Sequence, residues 1–78
     1  MGEIHAAFAV GIGPRQVGGR YYDGYDMQEY VVLAINTEGG RWFITVQTDD
    51  EQAHRYHRTH STPWDPKRDR VIHQPTGA

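Results

Sequence analysis

A chain of 78 residues holds one domain with one modest core. Without cysteine it has no disulfide staple and no thiolate to act as ligand or nucleophile, a composition that suits a reducing cytoplasm. Eight Lys and Arg against ten Asp and Glu leave a net charge of −2, which argues against a dedicated DNA binder, and no apolar run reaches the ~18 residues of a membrane-spanning helix.

The first segment, "MGEIHAAFAVGIG", has Glu3 where a secretory leader would carry Lys or Arg, so no leader is expected. Ala6 stands where a myristoylation motif needs Ser or Thr, and that motif fails. Within residues 1–14, "IHAAFAV" reads as an N-terminal strand or a flexible arm. The glycines of "GIGPRQVGG" fit neither the dinucleotide nor the P-loop spacing, and the segment is read as a linker. A short strand is expected around 17–22, turning at Asp23-Gly24.

The best-specified segment is "EYVVLAINTEGGRWFITVQ", two β-branched and aromatic runs around a glycine-rich turn. A Glu38-Gly39 loop sets Ile35 opposite Trp42, Leu33 opposite Ile44 and Val31 opposite Val46, which gives a wholly apolar core face. The other face then carries Tyr30, Val32, Ala34 and Phe43 as an apolar strip with Thr45 and Gln47 at its edge. Exposed apolar strips mark contacts, so either the N-terminal segment covers this one, with Phe8 as anchor, or another chain does.

In "DDEQAHRYHRTH" a helix would offer only Ala53 and Tyr56 to a core, so a turn at 49–53 and a strand at 54–61 are expected. "STPWDPKRD" combines Thr62 as a cap with Pro63 and Pro66 and predicts a 3₁₀ turn. "RVIHQ" supplies a last strand. The domain is thus expected over 15–74, with 75–78 as a flexible tail. The order is strand, strand, hairpin, strand, 3₁₀ turn, strand. It resembles the small five-stranded SH3-like β-barrels, KOW-type ones included, through "VGGRYYDGY", "EYVVLAI", "RWFITVQ" and "TPWDPKRDRVI". The turn glycine of the KOW type corresponds to Gly24, although the residues around it differ from that family's pattern. The resemblance implies a mainly β fold and leaves activity open.

Three groups of residues carry possible chemistry. His54, His57 and His60 recur at steps of three, but a strand sends them to alternate faces and spreads them too far to meet on one ion, so no metal site is expected. Arg55, Tyr56, Arg58, Trp64, Lys67, Arg68 and Arg70 interleave cations with rings, as binding of RNA or single-stranded DNA requires. The bland reading is a solvated edge strand with Trp64 plugging a barrel end. "RYYDGYDMQEY" sets Tyr21, Tyr22, Tyr25 and Tyr30 beside acids, the composition of a surface for cationic or proline-rich peptides. No nucleophile stands at a recognisable spacing from a base, so neither catalysis nor a cofactor is expected. The favoured reading is a non-enzymatic interaction module that binds a protein partner or a second copy through Tyr21, Tyr22, Tyr25, Tyr30, Val32 and Phe43. The alternative is nucleic-acid binding through the basic-aromatic C-terminal half.

Overall fold

A two-residue hairpin loop that matches strand twist needs positive φ at both central residues, and glycine adopts it at least cost. In the computed structural model, which describes residues 6–75, Gly39 and Gly40 take that role with φ of 57° and 77°. They join β2 (Gln28–Glu38) to β3 (Arg41–Gln47). The expected Glu38-Gly39 loop would have forced a glutamate into the left-handed region. The register therefore moves by two residues, and Ile35 faces Ile44 rather than Trp42.

A bulge at Leu33 then changes the phase of β2. The pairing steps from Ala34↔Thr45 to Val32↔Val46, leaving Leu33 without a partner of its own. On the turn side of the bulge the expected core face holds, with Ile35, Trp42 and Ile44 inward, and along β3 it continues to Val46. Beyond it the faces invert. Val32 and Tyr30 enter the core, and Leu33 is 42% exposed. The expectation that Leu33 and Val31 are core, and that Tyr30 and Val32 form an outer strip, is overturned by this one inserted residue.

β1 (Arg20–Asp23) pairs antiparallel with β2 and sets Tyr21 opposite Tyr30, ring centroids 5.9 Å apart. β4 (Arg58–His60) pairs with β3, and β5 (Arg70–His73) returns to pair with β1. The result is one five-stranded antiparallel sheet in the order β4-β3-β2-β1-β5. The fold is mainly β, as expected. The two edge strands do not hydrogen-bond to each other among the described residues, so the sheet is not closed. The core is Tyr21, Tyr30, Val32, Ile44 and Val46, with Ile35, Trp42 and Trp64 packed against it.

A helix replaces the expected N-terminal strand or arm. Ala6–Ile12 is a helix, α1, stopped where Gly13 takes φ 62° and donates to Ala9 O. Alanine favours helix, and the Gly13-Pro14 pair that ends it is a stop signal that outweighs the β-branched residues. A Cβ on Gly13 would lie 2.6 Å from Trp64, so the same glycine allows α1 to dock. The turn expected at 49–53 is a single helical turn, α2 (Asp49–Ala53), and the following strand shrinks from 54–61 to β4. Thr48 and Glu51 make a reciprocal capping box, which holds one turn without any apolar stripe.

The 3₁₀ turn expected after Thr62 is also replaced. Residues 61–65 have no regular structure, and the turn falls at 66–68. Asp65 organises it: its Oδ1 accepts from Lys67 N, and its carbonyl accepts from Arg68 N and Asp69 N. A carboxylate that binds the backbone two residues on competes with helical pairing. Among the described residues no helix is long and apolar enough to cross a membrane.

Candidate functional site

The β1–β2 connection and the segment between β4 and β5 face each other across a cleft of about 240 Å³. Arg15, Tyr30, Arg58, His60 and Thr62 contribute to its lining, together with Asp23, Asp26 and Asp69. Tyr25, Thr62 and Pro63 continue from this cleft into a shallower, more apolar groove completed by Trp64, Asp65 and Pro66.

Arg15 is the least expected participant. It follows α1 by three residues and is only 4% exposed. Its Nε donates to Ile12 O, and its Nη2 donates to Gly11 O and Thr62 O at 2.9 and 2.7 Å. A cation here satisfies carbonyls that the helix end leaves open. The guanidinium carbon lies 5.6 Å from the Trp42 ring centroid and 5.7 Å from that of Trp64. One side chain thus ties α1, β3 and the β4–β5 segment together. No described carboxylate forms an ion pair with it.

The acids of the cleft have separate tasks. Asp69 accepts from Gly24 N and Asp65 N, which joins the two walls. Asp23 Oδ1 accepts from Tyr25 N and Asp26 N and shapes the turn. Asp23 Oδ2 and the whole Asp26 carboxylate have no hydrogen-bond partner among the described residues. Beside them Tyr25 is 66% exposed and holds the Arg68 guanidinium 4.5 Å above its ring. His60 Nδ1 accepts from Thr62 N, and burial together with the Arg15 and Arg58 charges pushes its pKa below the usual imidazole value.

The tyrosine and apolar residues expected to form one protein-binding surface are divided. Tyr21 is fully buried, and its hydroxyl takes Gln16 N and donates to Gln74 Oε1. Burial raises its pKa and that of Tyr30. Tyr21, Tyr30 and Val32 are core residues, although the Tyr30 hydroxyl reaches the cleft. Tyr22 and Phe43 are half-buried, and Tyr25 alone of the set stands out into solvent beside the acids.

The basic-aromatic set is divided as well. Arg55 and Tyr56 are exposed after α2, and Arg58 Nε lies 2.6 Å from Glu51 Oε2, an ion pair without hydrogen-bond alignment. Trp64 packs edge-on against Tyr21 and beside Arg15. Lys67, Arg68 and Arg70 lie on the β4–β5 segment and β5, and Arg68 is engaged by Tyr25 and Asp65. Arg58 and Arg70 sit on strands at opposite edges of the sheet order.

No family model, no curated protein and no solved structure matches this chain. The chemistry of the cleft therefore stands on its own residues. Among those described, no three His, Asp or Glu side chains come together to hold a metal, and His5 lies outside the described residues. Sequence reasoning passed over Arg15, His60 and Asp69 as site residues. A signal for Arg15 exists: a lone cation just past an alanine-rich segment and its Gly-Pro stop.

Proposed function

We propose that this chain is a non-enzymatic interaction module of the small SH3-like barrel type, and that its cleft and adjoining groove take a cationic, proline-containing peptide segment of a protein partner. The supporting observation is the unclaimed Asp26 carboxylate and Asp23 Oδ2 beside the exposed Tyr25 ring, which already accepts a guanidinium from Arg68. A partner arginine meets the same ring and the same acids. The Pro63, Trp64 and Pro66 side of the groove offers the apolar contact that an extended, proline-bearing strand needs. The barrel reading rests on element order and on β5 returning to β1.

The nucleic-acid alternative has less support, since its cations are spread over two edges of the sheet. Titration of the full chain with an Arg/Pro-rich peptide amide, followed by Trp fluorescence, tests the proposal. Binding that weakens with salt and falls roughly three- to tenfold in Asp26→Asn is expected. Equal binding of a peptide with every Arg replaced by Gln, or a low-salt gel shift with oligonucleotides in place of peptide binding, rejects it.

A further inference from the structure

The cleft that carries these acids is also lined by hydrogen-bond donors. Arg15 spends Nε and Nη2 on three carbonyls, which leaves Nη1 with only a long 3.5 Å contact to Tyr30 Oη. Tyr30 is 6% exposed, and its hydroxyl proton has no acceptor among the described residues. His60 uses Nδ1 as an acceptor, so its neutral ring carries the proton on Nε2, for which no described acceptor exists. The Arg58 guanidinium pairs with Glu51 through Nε. All four side chains line one cleft. Arg15 and Tyr30 are at least nine-tenths buried, and Arg15 brings a positive charge that forms no ion pair with a described carboxylate. A buried charge and a largely buried tyrosine whose hydroxyl proton has no described acceptor are costly, and an anion beside them relieves both.

We propose that this set of donors binds a carboxylate. Its planar pair of oxygens, with about four lone-pair directions, suits donors arriving from Arg15 Nη1, Tyr30 Oη and His60 Nε2 together. Asp23, Asp26 and Asp69 line the same cleft and their charge opposes a bare anion, so the ligand that fits carries a basic group beside its carboxylate. Asp26 and Asp23 Oδ2, which take no described backbone N–H, are left to face that cation. The cleft thus selects a ligand with a carboxylate and a basic group close together. The inference rests on the peptide reading only for the origin of the carboxylate, which is either a chain terminus or an Asp or Glu side chain.

Sodium acetate is the minimal probe, titrated into the ¹⁵N-labelled full chain at constant ionic strength against sodium chloride. Saturable shifts of the Arg15 Nε–H and the His60 ring are expected with acetate and not with chloride. Tyr30→Phe keeps the ring and deletes one donor, and it is expected to weaken acetate three- to tenfold with an unchanged amide spectrum elsewhere. Asp26→Asn is expected to weaken the basic peptide amide and not to weaken acetate, since it removes a negative charge from the cleft, which separates failure of this inference from failure of the peptide reading. A basic peptide with a free C-terminus, its amide, and an amide with an internal Glu then identify the source by which of the two carboxylate forms gains affinity. Acetate shifts that match chloride, or that are unaltered in Tyr30→Phe, overturn the proposal.

Discussion

Arg15 and His60 show how single residues acquire roles from their surroundings. A lone arginine in a glycine-rich segment is ordinarily a solvated charge, yet here three carbonyls and two indoles enclose it. The planar fork serves two elements at once, which a single ammonium does less well. His60 is half-buried beside that charge and Arg58, with Asp23 and Asp26 acting weakly in the other direction. Its folded pKa lies below the ordinary 6.5, so the unfolded chain binds the proton more readily. The stability it contributes is complete above about pH 6.5 and is lost as pH falls through the folded pKa. Thermal melts between pH 7.5 and pH 5 are expected to fall in the wild type and to be flatter in His60→Gln. Parallel curves would show that His60 carries none of the pH dependence.

At the level of elements, the hairpin is governed by two local features, a Gly-Gly turn and a bulged leucine. The bulge places Leu33 and Ala34 together against Thr45 and restores the inward direction at Ile35. Ile44→Ala is therefore expected to cost about 2–5 kcal/mol through a core cavity. Leu33→Ala, on the exposed side of the bulge, is expected to cost less than about 1 kcal/mol. For a domain of this size the difference separates a melting shift of many degrees from one of a few. Urea denaturation of the two variants measures it, and equal losses would mean that Leu33 faces inward. The alternation of β2 was legible in the sequence, and so was the inward set on β3. The phase beyond Leu33 was not, because a bulge leaves both flanking half-patterns intact and nothing in "VVLAI" marks where the extra residue sits.

At the level of the whole molecule, α1 closes the open end of the core. Its last turn brings Gly11 and Ile12 onto Trp42, Trp64 and Arg15, and Gly11 O accepts from Trp64 N. Deleting residues 1–12 removes two of the three carbonyls that Arg15 holds and uncovers both indoles. The truncated chain is expected to melt well below the full chain, with a red-shifted Trp emission in the absence of denaturant. An unchanged emission maximum and melting temperature would show that α1 is dispensable. The candidate cleft depends on the same closure, since Arg15 and Thr62 reach it through the α1 contact.

The sequence by itself determined the mainly β class, the central hairpin, the inward face of β3 and the acid-flanked Tyr25 turn. Each follows from neighbours within a few positions: side-chain alternation, turn chemistry and glycine content. It did not determine the helix at 6–12, the capped turn at 49–53, or the burial of Tyr21 and Tyr30. Only the tertiary structure decided these, because Ala-rich and polar segments lie near the balance between conformations and are tipped by what they dock against. The cleft belongs wholly to that second category. Arg15, Tyr30, His60 and Asp69 lie up to 54 positions apart in the chain, and only the tertiary fold brings their donors and acids to one place.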